Sequence, residues 1–218
     1  EGAYGKKIIG YTDDVKNYLK EKNLLEKFVD NYAKDGYRTT DLLNAIKDNK
    51  KTKIAGKTIT LQNALIKADL VTLSIGANDV LNKVNMEEPI DYNQLYDYID
   101  GLAEDLDKLL ALMREYCKED IVLVGYYNPY PYLNSQKTDE VFSYLNKKYK
   151  SVCQDYEVSY IETDLLFKEN PQFLPNENDI HPSEEGYKAI AGEIIGVINK
   201  TLLNSWFFKI YLLKYRSN

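Results

Sequence analysis

Two short apolar runs limit what this chain can become. Residues 70–75 (LVTLSI) are almost continuously apolar, and residues 120–132 (DIVLVGYYNPYPY) open on another such run before prolines stop it. Runs of this length without polar alternation suit strands buried on both faces, and such strands belong to parallel sheets covered by helices. The segment between them agrees. Across residues 91–118, Leu95, Ile99, Leu102, Leu106, Leu109, Met113 and Tyr116 step by three and four, which predicts a long amphipathic helix. Strand, helix, strand at this spacing points to an α/β fold with a parallel sheet.

The rest of the chain continues the alternation. Helices are expected at 12–22, with Thr12 or Asp13 as N-cap, after Thr39 or Thr40 with Leu42, Leu43 and Ile46 inward, and at 60–68, 138–152 and 183–199. Strands are expected at 26–33 and 156–163. The order is then roughly α-β-α-α-β-α-β-α-β-α. It opens on a helix where a doubly wound sheet opens on a strand, so the first strand looks absent. Residues 1–203 read as one domain. The end, 204–218 (NSWFFKIYLLKYRSN), fits none of these elements. It is aromatic-rich and basic, too short to span a bilayer, and open to three roles: lying at a membrane surface, covering a hydrophobic face, or being a non-native end of the reading frame.

Bulk properties exclude some functions. A net charge of -6 disfavours a nucleic-acid partner, whose phosphates attract a basic face. Cys117 and Cys153 are far apart and lack the spacing of a disulfide framework or metal knuckle, and a lone histidine permits no multi-histidine metal site. The chain starts with Glu1 and carries neither a signal peptide nor an 18-residue apolar run, which leaves localisation open.

In a parallel α/β sheet, functional loops leave the carboxyl ends of the strands. Four segments are expected there: the loop with Gly36, "GAND" (76–79), the tyrosine-rich loop 126–132 and "NENDIHP" (176–182). Gly76 ends a strand without a side chain, so a ligand could approach the backbone. Asn78 offers a fixed NH2 donor suited to an oxyanion, although Asn-Asp after a strand is also ordinary turn chemistry. The N–H of Gly36 could be a second donor, or the glycine could simply serve a positive φ. His181 is two residues after Asp179, a spacing that in extended chain puts both side chains on one side. Asp179 could then hold Nδ1 and leave Nε2 to take a proton; a surface histidine beside a helix start is the plainer alternative.

Taken together, "GAND" and "DIHP" resemble the SGNH hydrolases, the GDSL-like esterase and lipase superfamily, with "DGYRTTDLL" similar to that family's second block. The resemblance implies a flavodoxin-like three-layer α/β/α sandwich and a serine esterase that cleaves small-molecule carboxylic esters through an acyl-enzyme, without metal or cofactor. It implies Gly36 and Asn78 as oxyanion donors, His181 as base and Asp179 as its orienting acid. The usual fifth block, D-x-x-H, would put Asn178 in the acid position; a neutral amide stabilises imidazolium poorly, which favours Asp179, with Glu177 more distant. The first block, G-D-S, does not occur in the chain. Ser74 lies within a strand and Ser183 at a helix start. Glu1-Gly2 resembles the end of "GDSxTEG", so the expectation is a nucleophile upstream of residue 1. The competing expectation is a non-catalytic carbohydrate- or partner-binding module on the same fold.

Overall fold

The computed structural model describes residues 10–81, 91–129, 135–176, 179–203 and 210–216. The two apolar runs form β4 (Leu70–Ser74) and β5 (Asp120–Val124), which pair in parallel from Leu70↔Asp120 to Leu73↔Leu123. They are linked through α4 (Ala77–Leu81) and the long helix α5 (Tyr92–Tyr116). Asp91 caps α5 by accepting from the N–H groups of Asn93 (3.0 Å) and Gln94 (3.2 Å). Its buried stripe runs through Ile99, Leu102, Leu106, Leu109 and Met113, as the spacing predicts.

Five strands make one parallel sheet in the order β1-β7-β4-β5-β6, with β1 at Leu25–Val29, β6 at Ser159–Ile161 and β7 at Ile210–Arg216. Alternation along each strand sorts the core into two layers. Val71, Leu73, Ile121, Leu123 and Leu213 join one cluster with α5, α2 (Thr39–Lys47), α3 (Leu61–Lys67) and α6 (Ser135–Asp155). Leu70, Val122, Val124 and Leu212 join the other with α1 (Tyr11–Glu21) and α8 (Glu184–Leu203). Helices on both faces of a parallel sheet make the three-layer α/β/α sandwich.

The position left without a strand by the sequence reading is occupied by β7, from the aromatic, basic end. It lies parallel to both neighbours, with Leu25↔Ile210 on one side and Leu70↔Leu212 through Ser74↔Arg216 on the other. Its start is fixed by Asp69, which donates its N–H to Tyr211 O (3.1 Å) and accepts the Tyr211 N–H on its carboxylate (2.7 Å). Leu212 and Leu213 are fully buried, a gain of roughly 2 kcal/mol each. The apolar residues 210–213 are thus used inside the sheet. With β7 counted as the first strand, the order reads 2-1-3-4-5, that of flavodoxin-like sheets.

Several boundaries differ from expectation, each for a local reason. The strand expected at 26–33 ends at Val29, because Asp30–Ala33 turns (Ala33 N–H to Asp30 O, 3.0 Å) and Tyr32 leaves to donate its hydroxyl to Ile59 O (2.6 Å). The strand expected at 156–163 shrinks to three residues: Glu157 is left-handed (φ 52°), Val158 N–H closes the end of α6 on Cys153 O, and Thr163 opens α7 (Thr163–Glu169). Gly10, not Thr12 or Asp13, caps α1, its N–H reaching the Asp13 carboxylate (3.3 Å). Arg38, not Thr39 or Thr40, is the cap of α2. A hairpin, β2 (Lys51–Ile54) with β3 (Lys57–Thr60), turns through Ala55 and Gly56, both with positive φ. Its inward face offers two isoleucines, Ile54 and Ile59, which pack against the core, and lysines and threonines fill the rest, so the apolar signal is sparse.

Candidate active site

The site lies beyond the carboxyl ends of β4 and β5. There β4 runs into Gly76 at φ 107°. A Cβ at this position would fall 2.6 Å from Tyr149 Oη and 2.7 Å from Tyr126 Oη. The glycine was expected to leave room for a ligand; the room is instead filled by two tyrosine rings of the protein itself. Tyr126 donates its hydroxyl to Ile75 O, so the strand end is clamped from above. Asn146 clamps Tyr126 in turn, accepting its N–H (2.9 Å), donating to its carbonyl (2.7 Å) and receiving the Tyr160 hydroxyl (2.5 Å). Burial pushes the Tyr126 phenol well above its ordinary range, which keeps the hydroxyl protonated as a donor.

"GAND" continues directly into α4, so Asn78 and Asp79 sit on a helical turn rather than an open loop. The two side chains reach the same distant segment. Asn78 Nδ2 donates to Tyr37 O (3.1 Å), next to Gly36. Asp79 is 4% exposed and accepts on one oxygen both the N–H (2.9 Å) and the hydroxyl (3.1 Å) of Thr39. Its burial raises its carboxyl above the usual value, with the Thr39 hydrogen bonds opposing that rise. Gly36 itself is exposed, at φ 75°, with open space where a Cβ would stand. Its glycine is therefore required by backbone conformation.

On the other side, Asp179 and His181 meet as the spacing predicts. His181 Nδ1 lies 2.5 Å from Asp179 Oδ1, and the same oxygen accepts the His181 backbone N–H (3.0 Å). One carboxylate thus fixes both the ring and the main chain. Tyr127 supports the segment by donating to Ile180 O (2.8 Å), and Ser183 does start α8, its Oγ accepting Gly186 N–H (3.2 Å). Glu177 and Asn178, the other acid positions weighed, lie outside the described residues, as do Tyr130 and Tyr132.

A cavity of about 110 Å³ opens between these parts, with His181 in its wall beside Tyr126, Tyr127 and Pro129 of the tyrosine-rich loop. Ser74 lines it too. The sequence places Ser74 inside a buried strand, but it is the last residue of β4 and half-buried. From "GAND", Ala77 is in the wall, whereas Asn78 and Gly36 are not among its lining residues. The structure therefore forms two pairs, His181 with Asp179 and Asn78 with the Gly36–Tyr37 segment, on one edge of the sheet. Cys117 and Cys153 are buried in the core, where desolvation raises both thiols, Cys153 to about 12. Neither is an available nucleophile.

The contacts of Asp79 and Asn146 escape a linear reading because their partners are 40 and 20 residues away. Asn146 does leave one trace, a carboxamide on an otherwise apolar helix face between Leu145 and Tyr149.

Residues 10–189 match the GDSL-like Lipase/Acylhydrolase family. The chain is 24% identical over 199 residues to the Bacillus subtilis (strain 168) protein YpmR, covering 88% of this chain and 74% of that protein. It is 22% identical over 169 residues to the spore germination lipase LipC of Bacillus licheniformis, covering 75% and 74% respectively. Among solved structures it resembles the lipase Lip_vut3 from a goat rumen metagenome (TM-score 0.73, 21% identity, 88% of this chain and 89% of that one). It also resembles Axe2, an acetylxylan esterase from Geobacillus stearothermophilus (TM-score 0.58, 18% identity, 91% and 84%). A family match over most of the length, on a sheet wound in the same way, establishes that the chain belongs to the GDSL-like lipase and acylhydrolase family of ester hydrolases.

Proposed function

We propose that ester hydrolysis here proceeds through an acyl-enzyme in which His181 is the general base, Asp179 orients it, and Gly36 and Asn78 supply oxyanion donors. The observation that carries this reading is the 2.5 Å contact between Asp179 Oδ1 and His181 Nδ1, with the imidazole in the wall of a cavity at the carboxyl edge of the sheet. With Nδ1 held by the carboxylate, Nε2 is the nitrogen that takes the proton of an attacking hydroxyl. The oxygen adds to the ester carbonyl, its proton passes to Nε2, and negative charge develops on the carbonyl oxygen. Collapse expels the alcohol, which leaves with the proton from the imidazolium. Water repeats the cycle on the acyl-enzyme and releases the acid. Each well-placed oxyanion donor stabilises the charged intermediate by about 3–4 kcal/mol.

The hydroxyl required is that of a serine in a G-D-S block, and no such block occurs within the 218 residues. Among the described residues, Ser74, which lines the His181 cavity, competes with it. A fluorophosphonate probe with peptide mapping distinguishes the two. The test covers the 218-residue chain and the product of its complete native reading frame. Labelling at the serine of a G-D-S block, lost in His181→Ala, supports the reading. Labelling at Ser74 would reassign the nucleophile. Labelling of neither form, with no ester cleavage, would remove the acyl-enzyme mechanism.

A further inference from the structure

We infer that the lysine-rich hairpin β2–β3, with the helix ends beside it, is a docking face for the surface of an anionic lipid bilayer. The inference is independent of the hydrolytic reading of His181.

Charge is segregated along this chain. The whole is negative, at -6, yet residues 47–67 hold six lysines and one aspartate. Lys47 ends α2 and Lys50 follows it; Lys51, Lys53 and Lys57 lie in the hairpin; Lys67 ends α3. All six are exposed. Ile54 and Ile59 hold the inner face of the hairpin on the core, which leaves Lys51 and Lys53 on the outer face. Opposite them across the hairpin stand Thr60 and Thr58. A carboxylate at either place would stabilise the lysine it faced. Among the described residues, the lysine ion pairs engage Lys108, Lys148, Lys150 and Lys188, and none engages these six. Charge of either sign guards a strand edge against pairing with another chain. One sign repeated without partners instead makes a local positive field on an acidic protein.

Two features suit this field to a lipid surface. Lysine is a compact charge on a flexible stem, which matches a fluid array of anionic headgroups better than one fixed anion. Ile66, 57% exposed, stands beside Lys67 on α3, an apolar side chain able to enter the headgroup boundary once the ammonium groups are seated. A soluble polyanion would make no use of it. Repulsion from the chain's remaining carboxylates is screened beyond a Debye length of about 8 Å at physiological salt, so the charges in contact decide the outcome.

The face also borders the candidate site. Tyr32 donates to Ile59 O (2.6 Å) and Lys50 Nζ to Tyr37 Oη (2.5 Å), while Lys34 and Lys50 approach the Tyr37 ring at 5.1 and 5.0 Å. Tyr37 O in turn accepts from Asn78. The segment that carries Gly36 is thus seated against the hairpin, and docking brings that edge of the site to the bilayer.

Co-sedimentation of the full chain with lipid vesicles tests this. Phosphatidylcholine vesicles containing about 30 mol% phosphatidylglycerol should bind it at least about tenfold more strongly than pure phosphatidylcholine, and about 0.5 M NaCl should abolish the difference. Lys51→Gln with Lys53→Gln should weaken that binding about tenfold. Lys148→Gln with Lys188→Gln makes the same change in net charge at paired lysines, and should leave binding within about twofold. Ile66→Ser should weaken vesicle binding about threefold and leave binding to soluble polyphosphate unchanged. Vesicle binding that ignores the hairpin variant, falls equally in the control, or shows no preference for the anionic lipid would overturn the inference. Capture by polyphosphate without capture by vesicles would assign the face to a soluble polyanion and overturn it too.

Discussion

Asp79 and Thr39, 40 residues apart, are joined by two hydrogen bonds to one buried carboxylate oxygen, 2.9 Å from the Thr39 N–H and 3.1 Å from its hydroxyl. This pair ties the first turn of α2, and with it the Gly36 segment, to the turn that carries Asn78. An exposed N-terminal Asp would only cap a helix; here the cap comes from a different element and sets the spacing between two site segments.

Asp79→Ala leaves the Thr39 donors without this acceptor in a buried place, so urea unfolding should show a loss of about 2–4 kcal/mol. Asp79→Asn keeps an acceptor oxygen and should cost less. The pH dependence separates the charge from the contact. Burial raises the Asp79 carboxyl in the folded state, so the folded chain holds that proton more firmly than the unfolded one. The stability linked to it is complete below the unfolded value and is lost as pH rises through the folded value. Unfolding at a series of acidic to neutral pH values should therefore show Asp79→Asn gaining on the wild type as pH rises through that window. A constant gap would mean the carboxyl titrates alike in both states.

At Gly76, space and backbone both forbid a side chain. A Cβ would stand 2.6 Å from Tyr149 Oη, and φ 107° is strained for any L-residue. Gly76→Ala should lose about 3 kcal/mol or more in thermal or urea unfolding. Adding Tyr149→Phe removes the nearer clash and should recover part of that loss, while the Tyr126 clash and the backbone strain remain. Full recovery would mean that neither of these contributes.

What the sequence revealed follows the range of the interactions involved. β4, α5 and β5 are legible because periodicity is local and the apolar runs are dense. His181 and Asp179 are legible as a pair because two residues of extended chain suffice to bring them together. β7 is not: Lys209, Lys214 and Arg216 give its segment a surface-like composition, and only pairing with β1 and β4, remote in sequence, makes it a central strand. The partition of the site is equally hidden. Ala77 rather than Asn78 in the cavity wall is decided by the helical turn of α4, which a turn-forming Asn-Asp does not predict.

The central place of β7 makes the chain's end essential to folding. Deleting residues 204–218 would leave β1 and β4 without the strand between them, exposing two rows of backbone groups and the core facing Leu212 and Leu213. Circular dichroism and urea titration of the shortened chain should show loss of the cooperative transition. Leu212→Ala, a milder change at a fully buried position, should cost about 2–5 kcal/mol. A deletion variant that unfolds cooperatively at the wild-type midpoint would show that β7 is dispensable.

The shared oxygen of Asp179 leads to the most specific prediction for the chemistry. Asp179 Oδ1 receives both the His181 backbone N–H at 3.0 Å and Nδ1 at 2.5 Å. Asp179→Asn retains an oxygen able to hold the main chain, so the fold and the Kd for a non-hydrolysable ester analogue should change little. With that oxygen still facing the ring and the main chain the contacts survive, but the neutral amide no longer stabilises the imidazolium. In a form of the protein that turns over, kcat should therefore fall by about a thousandfold to ten-thousandfold while KM stays within a few-fold. His181→Ala should fall at least as far, and the double variant no further than His181→Ala alone, because the two side chains act as one unit. Steady-state hydrolysis of 4-nitrophenyl butanoate by the four proteins checks this. Additive losses would mean Asp179 acts on the reaction by some route other than His181.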